Sequence, residues 1–480
     1  MRRHTNKAGS PIEEAEVLIL GAGLAGLSAA TMIGASAIVL ERSHRPGGLV
    51  RTECFNGYWF DHVIHLLYFP DVFTEQRVKN LVGPDLEPCP PAAWVECSAG
   101  TARFPLQLHL ATLDSQTVVD CLLDLIDVSF TSHKSKPKNF EEVLLRTFGQ
   151  TMCDIFFFPY NRKVWKRPLS SLAASGFQWN IAPPELAQVL RGALNRQSVT
   201  ASYNSAGWYP RPPRGAEMRG MEVLSRRLAA NVANLRLQHT VKAIDLEKKV
   251  VMVRCKSGLK RFRFAHSCIA TLPLPEIVAR CWPVPKHLSE ACARLRHNRV
   301  ISAAFSIHGP RPVNRGHWRY YADESLSFTR LIYLHEFDPD CAPQEGWPLL
   351  AEVTEPAESP LSPRREVLDR IQADISRVGA LPSGCRIIDA HLLVIDPAYV
   401  VFSPDDETVV EQAHAFLLAH GIIPVGRYGR WEYSSMGQVM RDGFSLGERI
   451  SSEIRGLKSA VPQVAEIPAD NDESRPNAQP

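Results

Sequence analysis

Val17-Leu-Ile-Leu20, Gly21-Ala-Gly23-Leu24-Ala25-Gly26, Leu27-Ser-Ala-Ala30 and Ala37-Ile-Val-Leu40-Glu41 follow one another along the chain, and this stretch decides the fold. An apolar β-branched run enters a glycine turn, small residues open a helix, and a second apolar strand ends on a carboxylate. That is the order of a dinucleotide site. Gly21 permits the tight turn, Gly23 lets backbone N–H groups approach a pyrophosphate, and Gly26 lets the helix pack closely on the strand. Leu24 and Ala25 open the helix, whose N-terminus brings positive potential to the phosphates. Glu41 stands where an acid accepts the ribose hydroxyls, which favours FAD or NAD over a 2′-phosphorylated cofactor.

The rest of the composition narrows the function classes. At 480 residues the chain is long enough for about two to three domains. Lys and Arg number 54 against 51 Asp and Glu. A surplus this small gives no case for nucleic-acid binding by bulk charge. Eleven cysteines, odd in number and without a C-x-x-C pair, fit reduced thiols in a cytoplasmic protein better than disulfides or a metal site. No stretch approaches 18 consecutive apolar residues, so no membrane-spanning helix is expected. Residues 1 to about 12 read as a loose leader without the apolar core of a signal peptide.

Working outward, residues 13–90 read as the first part of a nucleotide-binding domain. Residues 91–215 read as a mainly helical cap, with an apolar face on Val118, Val119, Leu122, Leu123, Leu125 and Ile126. A second helix there runs from Asn139 as N-cap to Gly149 as terminator. Residues 216–298 return to the nucleotide domain through a hairpin (Val250–Arg254, turn, Arg261–Phe264) and a separate buried strand, Ser267–Pro275. The basic residues of that hairpin read as solvated strand faces. Short strands over 299–400 predict an antiparallel sheet. Residues 401–457 complete the nucleotide domain, and 458–480 read as a disordered tail. The fold class is therefore α/β, with a discontinuous Rossmann-like domain and inserted helical and antiparallel-sheet elements.

Three further motifs refine the cofactor. Arg42-Ser-His-Arg45-Pro-Gly47-Gly48 follows Glu41, with two adjacent glycines able to lie flat against a ligand and Arg45 placed to meet phosphate. This resembles the second FAD motif of the flavin amine oxidase, protoporphyrinogen oxidase and UDP-galactopyranose mutase superfamily. Trp59-Phe60-Asp61-His62-Val63-Ile64-His65 is similar to the superfamily's Asp-x-Gly-x-His stretch near the flavin ring, with Val63 where glycine is usual. Gly426-Arg427-Tyr428-Gly429-Arg430-Trp431-Glu432-Tyr433-Ser434-Ser435-Met436 resembles the carboxy-terminal FAD motif of the mutase branch. The resemblance implies non-covalent FAD held by both ends of the chain. Arg427 then neutralises pyrophosphate, Tyr433, Ser435 and Met436 close on the flavin, Val241 contributes from the middle segment, and His65 is the flavin-proximal polar residue.

The substrate end is less closely matched. Tyr160-Asn161-Arg162-Lys163-Val164-Trp165 is similar to the mutases' Tyr-Thr-x-Lys-x-Trp segment. That similarity implies Tyr160 and Trp165 packing on a sugar or base, with Arg162 or Lys163 holding an anion. Arg330 and Tyr399 resemble in context the pair that grips a diphosphate. An arginine usual in the mutase branch is missing from Phe177-Gln178-Trp179-Asn180-Ile181-Ala182-Pro183. The expected activity is that of an FAD-dependent oxidoreductase acting on a small metabolite or sugar-containing substrate in biosynthesis. A flavin-dependent sugar-nucleotide isomerase and a flavin-stabilised scaffold remain as alternatives, and the sequence leaves the oligomeric state open.

Overall fold

β1 (Ile12–Leu20), α1 (Leu24–Ile33) and β2 (Ala37–Leu40) form the predicted unit in this computed structural model, which describes residues 11–64, 66–131, 135–175, 185–195 and 206–460. β1 is paired in parallel with β2 on one side and with β3 (Gly258–Ala270) on the other. Read across, the sheet runs Cys281–Trp282, Thr240–Asp245, Val250–Cys255, β3, β1, β2, Leu235–Arg236, and Ile422–Pro424 pairs with the last residues of β3. The second arm of the hairpin and the buried strand expected after it are one 13-residue strand, β3. Its first half lies antiparallel on Val250–Cys255 and stays partly solvated, and Ser267–Ala270 runs into the core. A change of burial partway along one strand had the look of a boundary between two.

Side-chain alternation along β1 shows why both faces are covered. Val17 and Ile19 enter a core built with Leu27 and Ala30 of α1 and with Met440 and Phe444 of the C-terminal helix Met436–Ala460. Leu18 and Leu20 enter a second core with Ile277, Leu288, Ala413 and Leu417 from helices on the opposite face. The C-terminal helix approaches α1 very closely. A Cβ on Gly443 or Gly447 would come within 2.5 Å of the backbone oxygens of Ala25 and Ala29. The two ends of the sequence thus meet at the glycine turn.

The second sheet stands over the mouth of the first. It places β6 (Arg386–Val401) beside β4 (Arg296–His308), then β5 (Gly346–Pro356), Arg330–Tyr333, Trp318–Tyr321, Ala93–Cys97 and Gly100–Arg103. All pairs are antiparallel except Trp318–Tyr321 beside Ala93–Cys97. The last two strands come from the segment expected to be mainly helical, where a four-residue alternation around Gly100 is too short to stand out. Helix Phe140–Phe148 has the expected ends: the Asn139 side chain accepts from Glu142 N–H at 3.0 Å, and Gly149 takes φ +79°. Helix Ser115–Phe130 is also present, with Val118, Cys121, Leu122 and Leu125 packed on the core, but Val119, Leu123 and Ile126 face solvent. Among the described residues, no helix is long and apolar enough to cross a membrane.

Candidate functional site

A cavity of about 610 Å³ opens where the glycine turn, the C-terminal helix and the second sheet converge. Gly21 has φ +104°, and a Cβ there would lie 2.2 Å from Thr271 Oγ1, so only glycine fits the turn. Gly47 and Gly48, at φ +121° and +61°, lay a second backbone segment directly on the first. Gly47 N–H donates to Ala22 O at 2.8 Å, and a Cβ on Gly48 would sit 3.2 Å from Gly23 Cα. Gly26 is the contact of helix with strand, since a Cβ there would meet Gly21 O at 2.2 Å. Glu41 is buried, with one carboxylate oxygen accepting from Ala22 N–H at 2.9 Å and the other from Ser43 N–H at 2.8 Å. Gly21, Gly23, Leu24, Ala25, Glu41, Arg42, Gly47, Gly48 and Val241 all line the cavity.

Arg45 does not. Its guanidinium is paired with Glu53 and, at 3.2 Å, with buried Glu222, which pins the 42–51 loop to the protein behind it. Arg51 lines the cavity instead, and burial lowers its guanidinium from the ordinary arginine range. That arginine lies just past the glycine pair, and nothing in the local pattern ranks it above Arg45.

From the other end of the chain, Gly426 takes φ +77° with a notional Cβ 2.8 Å from Ala25 Cβ, so the last motif presses on the first helix. Arg427 donates to Ala398 O at 3.1 Å and lies 4.2 Å from the ring centre of Tyr433 and 5.7 Å from that of Tyr399. Its Nε is buried without a hydrogen-bond partner, and no carboxylate among the described residues reaches it. A buried cation facing a cavity in this way is an anion site in waiting. Tyr433, Ser435 and Met436 line the same wall.

Aromatic rings dominate the far end. Helix Phe158–Trp165 supplies Tyr160, Val164 and Trp165, strand Trp318–Tyr321 supplies Trp318 and Tyr320, and β6 supplies Tyr399. Tyr160 meets Tyr320 edge-on at 5.4 Å, Trp165 meets Tyr399 edge-on at 6.1 Å, and Tyr399 stacks on Tyr433 at 6.2 Å. Burial raises the Tyr160, Tyr320 and Tyr399 hydroxyls, so at neutral pH they are protonated donors. Arg330 is ion-paired with Glu352 and donates to Tyr399 Oη at 3.2 Å, and Glu352 also accepts from Ile64 N–H at 3.2 Å. Glu352 was not singled out from sequence, where it reads as one strand acid among several.

Two of the expected substrate residues lie elsewhere. Arg162 is half exposed and 3.6 Å from Glu324. Lys163 is buried behind the cavity wall, donating to Tyr321 O at 2.9 Å and Asp323 O at 2.8 Å, and burial draws its ammonium down to about 7. Val63 and Ile64 line the cavity, but His65 and the stretch Phe177–Pro183 lie outside the described residues.

Asp61, in the same motif as His65, turns away from the cavity. It accepts from Thr52 Oγ1 at 2.6 Å, Tyr209 Oη at 2.8 Å and Met221 N–H at 3.0 Å, while burial raises its carboxyl to about 6. A carboxyl raised on folding holds its proton longer in the native state, so this group makes stability fall as pH rises from about 4 to about 6, by up to about 3 kcal/mol. Asp61→Asn preserves the acceptor to Thr52 and Met221 and offers an N–H to Tyr209. Urea melts are expected to show the variant losing that part of the pH slope and matching or exceeding the parent at pH 7.

These residues fit an FAD molecule. The glycine turns leave room for a flat pyrophosphate, Glu41 brings a carboxylate to the cavity wall, and Arg427 offers a buried charge that no carboxylate among the described residues reaches. Comparisons with known proteins agree. Residues 101–389 match the model of the flavin containing amine oxidoreductases, and residues 19–82 match that of the NAD(P)-binding Rossmann-like domain. A probable UDP-galactopyranose mutase of Klebsiella pneumoniae is 28% identical over 173 residues, which are 33% of this chain and 43% of that protein, so the match spans less than half of the relative. The fold is shared with a reduced UDP-galactopyranose mutase at TM-score 0.82, with 20% identity over 92% of this chain and 96% of that one. It is also shared with a putative protoporphyrinogen oxidase from Exiguobacterium at TM-score 0.66 and 16% identity, covering 93% of this chain and all of the other. A putrescine oxidase follows at 0.60 and 16%, with coverage of 93% and 100%.

Proposed function

We propose that this chain, which belongs to the flavin containing amine oxidoreductase family and uses FAD, oxidises a small, uncharged, hydroxyl-bearing substrate such as a sugar-containing metabolite. The observation that carries this is the state of the cations at the aromatic end. Arg330 is spent on Glu352, Lys163 on two carbonyls and Arg162 on Glu324, which leaves the four tyrosines 160, 320, 399 and 433 as the polar lining. Phenol hydroxyls suit neutral oxygen acceptors better than a dianion.

In this reading Gly21, Gly23, Gly47, Gly48 and Arg427 hold the pyrophosphate, Glu41 the ribose, and Val241 the adenine side. Segments 13–90, 216–298 and 401–457 make up the FAD unit, while 91–215 and 299–400 form the substrate side. FAD, when bound, supplies the hydride acceptor. The protein supplies orientation: Tyr160 and Trp165 clamp the substrate face, and the ring walls keep water out. Because Arg330 Nη2 donates to Tyr399 Oη, the Tyr399 proton is directed away from Arg330 and is available to a substrate oxygen. We place the enzyme in cytoplasmic biosynthesis, in keeping with its unpaired cysteines.

A second reading, a nucleotide-sugar isomerase, is supported by the full-length fold match to a mutase. The two separate in one experiment. Under the first, neutral sugars or polyols bleach the flavin absorbance anaerobically, and nucleotide sugars do not turn over. Many turnovers of UDP-galactose by dithionite-treated enzyme without an external acceptor overturn it in favour of the second.

A further inference from the structure

Residues 248–275 contain seven Lys and Arg and no Asp or Glu. In the fold this run becomes Val250–Cys255, the turn after it and β3, with Lys242 on the neighbouring strand. Lys242, Lys249, Arg254, Lys256 and Lys260 are all exposed, and no carboxylate among the described residues comes within ion-pair distance of any of them. Lys248 pairs with Asp245, and Arg263 pairs with Glu14. Edge strands often carry lysines to block sheet extension. That does not account for Arg254, because Val250–Cys255 is an inner strand flanked on both sides.

At the hairpin tip stands Leu259, 60% exposed, between Lys256 and Lys260 in sequence and paired across the turn with Arg254. Gly258 beside it takes φ +110° with nothing within 4 Å of a notional Cβ, so the tip projects into open solvent. A protruding aliphatic side chain at a tip that also carries unneutralised cations has the chemistry of an interfacial anchor: the apolar group enters the acyl boundary and the cations meet phosphates. A single-stranded nucleic-acid surface would call for stacking aromatics, and the exposed part of this hairpin has none, since Phe262 and Phe264 are buried. The excess positive charge is local, because the whole chain carries only +3.

We propose that the 250–263 hairpin docks the protein peripherally on an anionic lipid bilayer, with Leu259 inserted and Arg254, Lys256 and Lys260 on the headgroups. The substrate cavity plays no part, so this stands whatever reaction is catalysed.

The test is co-sedimentation of the FAD-loaded full chain with vesicles. Vesicles of about one-third phosphatidylglycerol in phosphatidylcholine should bind it at low salt, release it at about 0.5 M salt, and bind far better than pure phosphatidylcholine. Removing Arg254, Lys256 and Lys260 together as alanines should weaken binding about 100-fold, at about five-fold per cation. Leu259→Ala should weaken it several-fold with the salt dependence unchanged. Retained flavin absorbance and an unchanged thermal melt verify that both variants are folded. Equal binding to neutral and anionic vesicles, full binding by the triple variant, or preferential capture of a short RNA through the same three residues overturns the proposal.

Discussion

Glu41→Ala is expected to purify colourless. The carboxylate does two things at once. It accepts from Ala22 N–H and Ser43 N–H, which holds the first glycine turn against the loop leading to the second, and it lines the cavity where we place the ribose. Truncation removes the ribose acceptor and also leaves the Ala22 N–H, at the heart of the cradle, without its partner. Hydrogen bonds to a charged group are worth about 1.5–3 kcal/mol each, so losing the ribose contact together with one tether lowers FAD affinity by about 10²–10⁴-fold. The ratio of flavin to protein absorbance reads this directly, and calorimetric titration with added FAD gives the magnitude. Glu41→Gln keeps one oxygen acceptor and should fall between. Full yellow colour in the alanine variant would contradict the assignment of the ribose.

That part of the site was legible because it is local and made of backbone. Gly21, Gly23 and Glu41 lie on consecutive elements, and the positive φ values at Gly21, Gly47 and Gly426 are demands that the sequence can meet only with glycine. The long charged side chains were not legible, because their partners are chosen in three dimensions. Arg45 sits at a spacing suited to phosphate, yet Glu222, remote in sequence, reaches it first. Lys163 occupies a motif position suggestive of an anion site, yet it is spent on the carbonyls of Tyr321 and Asp323. Strand limits failed for a related reason. β3 changes from a solvated to a buried strand along its length, and a local pattern records the change of environment rather than the continuity of the backbone.

Arg330→Met is expected to be the costliest single change at the aromatic end, because the charge it removes is the partner of a carboxylate that has no access to water. Glu352 has a side-chain exposure of 1% and its remaining protein contact is a neutral donor, the Ile64 N–H. Breaking a buried pair from one side typically costs about 3–5 kcal/mol, most of it the penalty of the stranded charge. Urea unfolding should therefore show a large drop in midpoint at pH 7. The double variant Arg330→Met, Glu352→Leu removes both charges and should recover most of the loss. It should not recover turnover, because Tyr399 has lost the guanidinium that fixes its hydroxyl proton. A double variant as unstable as the single one would mean that Arg330 stabilises the fold through packing rather than through Glu352. Recovery of both stability and turnover would remove the ion pair and the oriented Tyr399 from the chemistry altogether.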